Sequence, residues 1–142
     1  NLLFPHAPRR LTGAMWDEVY ASLRPDELAY TFVNECRVAG LQIGLLSNIN
    51  PTIAERLYVA GIYEGFDPVV LSCYTNGFAK PDPEIYAMVE ARLPAGTLPS
   101  EILFLDDQDK CVIGAQQRGW NAIKVTSSEQ MIREAGSLLG IS

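Results

Sequence analysis

The chain has 142 residues, 48% apolar and 20% charged, the make-up of one globular domain with its own core. A net charge of −6 argues against nucleic-acid binding, and no apolar run approaches the roughly 20 residues that cross a bilayer. Cys36, Cys73 and Cys111 are odd in number and lack C-x-x-C spacing. That points to reduced thiols in a cytoplasmic protein, and away from a disulfide framework or a zinc site.

Taken in order, residues 1–10 are proline-rich and read as irregular. Pro5, Pro8, Arg9 and Arg10 interrupt the only stretch that resembles a signal peptide. The first residue is Asn, which favours a piece of a longer protein. A helix is expected over Thr12–Leu23, with Met15, Trp16, Val19, Tyr20 and Leu23 on one face. A second begins at Pro25, buries Leu28, Phe32, Val33 and Cys36, and stops at Gly40. Leu41–Leu46 is apolar without alternation, the pattern of a strand covered on both faces.

Asn50-Pro51 opens a third helix, whose buried face is read as Ile53, Leu57 and Tyr58. Val69–Leu71 is a short strand, and a polar loop leads to Lys80. Asp82 is expected to cap a fourth helix through Ile85, Tyr86 and Val89. Ile102–Leu105 is another unbroken apolar strand, followed by a helix near Val112–Arg118 that closes at Gly119. Ala122–Val125 is the last strand, and a final helix over Glu129–Leu139, capped by Ser127 or Ser128, packs Met131, Ile132, Ala135 and Leu138. Alternation of helix and strand implies an α/β fold, a Rossmann-like parallel sheet with helices on both faces.

In such a sheet the ligand crevice lies at the C-terminal strand ends. Three of those ends carry chemistry. Ser47-Asn48 offers a hydroxyl beside the backbone amides of a following helix, which suits a phosphate oxygen. Its plainer role is a local helix cap. Lys80, held by Pro81, could place a fixed positive charge near the crevice, although most lysines are simply solvated. Asp106 and Asp107 are adjacent carboxylates that repel each other, a cost that a bound Mg²⁺ removes. The alternative for this pair is a polar exit in which Asp107 or Asp109 caps the next helix. A hydroxyl, an ammonium and a metal-binding carboxylate pair on one rim are what phosphoryl transfer needs.

Leu45-Leu46-Ser47-Asn48, Lys80-Pro81-Asp82-Pro83-Glu84-Ile85-Tyr86 and Phe104-Leu105-Asp106-Asp107 resemble motifs II, III and IV of the haloacid dehalogenase (HAD) superfamily, in its order and at its separations. The resemblance covers nearly all of residues 25–142. It is closest to the subgroup with a small helical cap, which includes sugar-phosphate phosphatases and the N-terminal domains of bifunctional epoxide hydrolases. It implies a HAD-like core over residues 25–142 and a cap remnant over 1–24. It also implies roles. Ser47 would bind the transferring phosphoryl group, Asn48 would shape that site, and Lys80 would stabilise charge on the phosphoryl group and nucleophile. Asp106 and Asp107 would hold Mg²⁺. The acidic pair favours phosphatase chemistry on a small phosphorylated metabolite over dehalogenation.

The family's nucleophilic aspartate, in a D-x-D motif ending a central strand, has no counterpart. The aspartates are Asp17, Asp26, Asp67, Asp82, Asp106, Asp107 and Asp109, and only Asp107-Gln108-Asp109 has the spacing, with no serine-then-lysine series after it. Cys111 also stands where the subgroup often has Asn or Asp. The first central strand is therefore expected to be missing. Each buried backbone group left unpaired by the gap costs about 1–3 kcal/mol, against a total stability of about 5–15 kcal/mol. A fragment, a substitute segment or partner chain in the slot, or a re-paired sheet would follow. A non-catalytic HAD-fold relic or interaction domain is the second functional reading. A phospho-accepting receiver domain is a poor fit, because its acidic pair comes first in the chain and its lysine last.

Overall fold

The computed structural model describes residues 27–141 and, by backbone alone, residues 2–4. The helix expected at Thr12–Leu23 lies outside the described residues. The strands are β1 (Leu2–Phe4), β2 (Gly44–Ser47), β3 (Val69–Leu71), β4 (Leu103–Asp106) and β5 (Asn121–Lys124). The helices are α1 (Glu27–Val38), α2 (Pro51–Val59), α3 (Pro83–Ala91), α4 (Asp109–Gln117) and α5 (Ser128–Leu139). Among the described residues the sheet has five strands in the order β3-β2-β1-β4-β5. β2 and β3 are parallel, as are β4 and β5.

The centre of the sheet departs from the sequence reading. Residues 2–4, expected to be irregular and part of a cap remnant, form the strand between β2 and β4. β1 runs antiparallel to both neighbours, with Leu2 opposite Leu45 and Leu105, and Leu3 opposite Gly44 and Phe104. The slot left by the missing strand is thus filled from within the chain, and the sheet is mixed rather than wholly parallel. The physical reason is the unpaired backbone that β2 and β4 would otherwise bury. A Leu-Leu-Phe triplet is apolar enough to sit there.

β2 and β4 are buried along their whole length, which explains their lack of alternation. Their side chains separate into two cores. Leu45, Leu103 and Leu105 pack with Ala29, Phe32, Val33 and Cys36 of α1 and Met131 and Ala135 of α5. Leu46 and Phe104 face the other way, against Ile85, Tyr86 and Val89 of α3 and Cys111 and Ala115 of α4. Tyr86, Phe104 and Trp120 meet edge to face with ring centroids 5.3–5.9 Å apart.

Several helix details differ from expectation. The inward face of α1 is Ala29, Phe32, Val33 and Cys36, an i, i+3, i+4, i+7 set, so Leu28 falls one position off it and is 46% exposed. The buried face of α2 is Ala54 and Leu57, while Tyr58 is 74% exposed. Leu138 of α5 is likewise exposed. Asn50 caps α2 as expected, accepting from the Ile53 amide at 2.9 Å, and Ser127 caps α5 by accepting from the Gln130 amide. Asp82 precedes α3 but does not cap it. Its carboxylate reaches back and accepts from the Ala79 amide at 3.0 Å, bracing the loop that carries Lys80.

Candidate active site

β2 and β4 are parallel to each other and separated by β1, so Ser47 and Asp106 come out on the same rim. Two strand spacings put their backbones about 10 Å apart. Asp106 is the last residue of β4 and is 1% exposed. Its Oδ2 accepts from Lys80 Nζ at 2.8 Å, and its Oδ1 from the Gln108 amide at 2.9 Å. Burial pushes the Asp106 carboxyl up. The Lys80 ammonium, by charge and by hydrogen bond, and the Gln108 amide pull it down, and the group stands below its ordinary value.

Lys80 lies on the loop between β3 and α3, yet it is 6% exposed. Besides Asp106, its ammonium lies 5.8 Å from the centroid of the Phe104 ring. Asn48, the residue after β2, holds its backbone on both sides. The Lys80 amide donates to Asn48 Oδ1 at 2.8 Å, and Asn48 Nδ2 donates to the Lys80 carbonyl at 3.0 Å. One residue on, the Ile49 amide donates to Ser72 Oγ at 2.9 Å. The peptide bond from Lys80 to Pro81 is cis. Pro81 and Tyr86 rest on Gly114 of α4, and the Tyr86 hydroxyl donates to the Cys111 carbonyl at 2.8 Å. Burial, reinforced by the Asp106 charge, pushes the Cys111 thiol up to about 11.

Of the residues named from the sequence, the structure joins Lys80, Asp106 and Asn48 directly by hydrogen bonds. Ser47 ends β2, one strand position beyond β1 from β4, and is 9% exposed. Asp107, one residue beyond β4, is exposed. What sequence reasoning missed is the Lys80–Asp106 ion pair itself, since the two residues were assigned to different tasks. Their 26-residue separation carries no signal of it. Among the described residues, no cluster of three or more His, Cys, Asp or Glu side chains is close enough to hold a metal. The donor chemistry is nonetheless that of a hard cation: two carboxylates, of which Asp106 has used one lone pair on each oxygen.

The family model for haloacid dehalogenase-like hydrolases matches residues 10–119. The chain belongs to this family. It is 35% identical to a phosphatase of Mycobacterium tuberculosis, over 75% of this chain and 50% of that protein. It is also 35% identical to the (S)-2-haloacid dehalogenase of Xanthobacter autotrophicus, over 68% and 38%. It is 34% identical to acyl-CoA dehydrogenase family member 10 of Mus musculus, over 76% of this chain and 10% of that protein. The chain therefore spans half or less of the length of these curated relatives. Among solved structures, an L-2-haloacid dehalogenase from Xanthobacter autotrophicus matches with a TM-score of 0.59 at 32% identity, over 84% of this chain and 48% of that one. A Corynebacterium glutamicum protein at 18% identity shares the fold, with a TM-score of 0.75 over 94% and 96%. The HAD-like core read from motifs II to IV is thereby established, and its relatives include phosphatases. No described helix is long and apolar enough to cross a membrane.

Proposed function

We propose that this chain is the phosphoryl-binding part of a Mg²⁺-dependent HAD-type phosphatase acting on a small phosphorylated metabolite in the cytoplasm. The buried Lys80–Asp106 pair on the rim beside Ser47 carries the reading. Keeping an ammonium out of water on a strand-end carboxylate is costly unless the pair is used or closely fitted. In this reading Lys80 neutralises charge developing on the transferring phosphoryl group, and Ser47 donates to one of its oxygens. Asn48 shapes the site by holding the Lys80 backbone. Asp106 and Asp107 would hold Mg²⁺, which when bound supplies further charge neutralisation. Thr12–Leu23 would belong to the cap that selects the substrate.

In this reading none of Asp82, Asp106 and Asp109 is the nucleophile, and Asp107 is assigned to the metal. Asp82 accepts from Ala79, Asp109 pairs with Lys124 at 3.1 Å, and Asp106 is held by Lys80. The strand position between Ser47 and Asp106 is taken by Leu2–Phe4, which brings no carboxylate. The 142 residues alone are therefore proposed to be inactive, and a strand ending in D-x-D, from upstream sequence or another chain, would replace β1. The same filled slot favours the second reading, a non-catalytic HAD-fold interaction domain.

Phosphate release from an aryl phosphate, with and without Mg²⁺, tests both. The 142-residue chain should be silent and a protein extended upstream by a D-x-D strand should be active only with Mg²⁺. In the extended protein Lys80→Ala should lower kcat on the order of 10²–10³, as loss of one preorganised charge does. Silence of the extended protein would favour the second reading. Turnover by the short chain that Asp107→Asn abolishes would mean that Asp107 is the nucleophile.

A further inference from the structure

Lys80 must reach Asp106 from an unfavourable starting point. The loop leaves β3, at the edge of the sheet, and β4 lies three strand positions away, about 14 Å. The loop is irregular apart from a 3-10 turn at Ser72–Tyr74, so no helix or strand ladder fixes the Lys80 backbone. Asn48 supplies what a ladder would. Its carboxamide offers one acceptor and one donor, and these meet the N–H and the C=O of a single residue, Lys80. That is how the N–H and C=O of one residue on a neighbouring antiparallel strand would meet it. The other tie between these loops, Ser72 Oγ with the Ile49 amide and carbonyl, grips the root of the loop eight residues earlier.

We propose that Asn48 is a positioning residue whose side chain extends β2 as a surrogate strand residue, clamping Lys80 so that its ammonium stays locked on Asp106. The proposal deepens the reading of Lys80 as a charge-stabilising group, but its test asks nothing of phosphatase activity, so the two can fail separately. It also explains why Asn, rather than Ser or Asp, follows Ser47. Only a carboxamide presents a donor and an acceptor side by side.

The test is amine acylation of the 142-residue chain by an N-hydroxysuccinimide ester, read lysine by lysine by mass spectrometry. Lys110 and Lys124, both exposed, are internal references. Buried Cys36, probed with a thiol reagent, reports global opening. In the unmutated chain Lys80 should label far more slowly than the references. Asn48→Ala should speed Lys80 labelling about 10- to 100-fold, the loss of two net hydrogen bonds, with Cys36 still unreactive. Asn48→Asp, which keeps the acceptor and loses the donor, should fall between. Ser72→Ala should leave Lys80 protected. Equal release of Lys80 by Ser72→Ala, unchanged Lys80 labelling in Asn48→Ala, or Cys36 opening in step with Lys80 would overturn the proposal. Should Asn48→Ala fail to fold, the same outcomes are read from Asn48→Asp against Ser72→Ala.

Discussion

Removing the Lys80 ammonium while leaving Asp106 in place exposes how much the fold depends on their pairing. Asp106 is 1% exposed in the intact chain, and Lys80→Ala leaves its carboxylate with the Gln108 amide on Oδ1 and no cation on Oδ2. Breaking a buried pair by deleting one partner costs about 3–5 kcal/mol, a large share of the roughly 5–15 kcal/mol that stabilises a domain. With a urea dependence near 2 kcal/mol per molar, the unfolding midpoint should fall by roughly 2 M, measured by far-UV circular dichroism. The pH dependence separates charge from lost packing. In the intact chain the Asp106 carboxyl is held below its ordinary value. Its contribution is therefore complete above the unfolded carboxylate value, near 3.9, and is lost as pH falls through the lower folded value. In Lys80→Ala burial remains without the cation, so the folded value should rise above the unfolded one. That variant should lose stability as pH rises through the raised value. The gap between the two chains should thus be widest at neutral pH and shrink towards pH 4. The double variant Lys80→Met/Asp106→Leu should recover most of the loss, because apolar replacement of a buried pair is often neutral. A deficit below about 1 kcal/mol at pH 7, or one that does not change with pH, would refute the reasoning.

Two further outcomes follow from the packing around the site. Gly114→Ala gains about 1 kcal/mol of helix propensity but places a Cβ 3.0 Å from the Tyr86 ring and 3.2 Å from Pro81. Tyr86 is 0% exposed and hydrogen-bonded to Cys111, so it cannot yield. Overpacking at about 1–3 kcal/mol should win, giving net destabilisation in urea, and a more stable variant would show that Tyr86 has room. Deleting residues 1–4 removes the partner of β2 and β4 in the middle of the sheet. At about 1–3 kcal/mol per orphaned backbone group, the shortened chain should lose cooperative unfolding or self-associate by size-exclusion chromatography. A monomer with an unchanged midpoint would mean that β1 is dispensable.

The sequence by itself determined the layers of helices around the sheet and the strand ends at which Ser47 and Asp106 stand. The apolar-rich stretch Leu41–Leu46, broken by Gln42 and Gly44, and the unbroken run Ile102–Leu105 read as strands covered on both faces, and Asn50-Pro51 and Ser127 carried helix starts in their own side-chain chemistry. Such signals are local, so they survive without tertiary information. They also bring Ser47, Lys80 and Asp106 to one rim once strands and helices alternate. Tertiary structure alone decided the rest. Leu2–Phe4 has no strand-like length or periodicity, and only two flanking strands with unmet hydrogen bonds make it the centre of the sheet. Leu28 is as apolar as its buried neighbours and Tyr58 carries a large ring, and a rotation of one residue leaves both in water. The Lys80–Asp106 pair and its Asn48 clamp join residues 26 and 32 positions apart. Sequence spacing cannot encode that contact, because it arises from a loop crossing the strand ends of a sheet whose order is not the order of the chain.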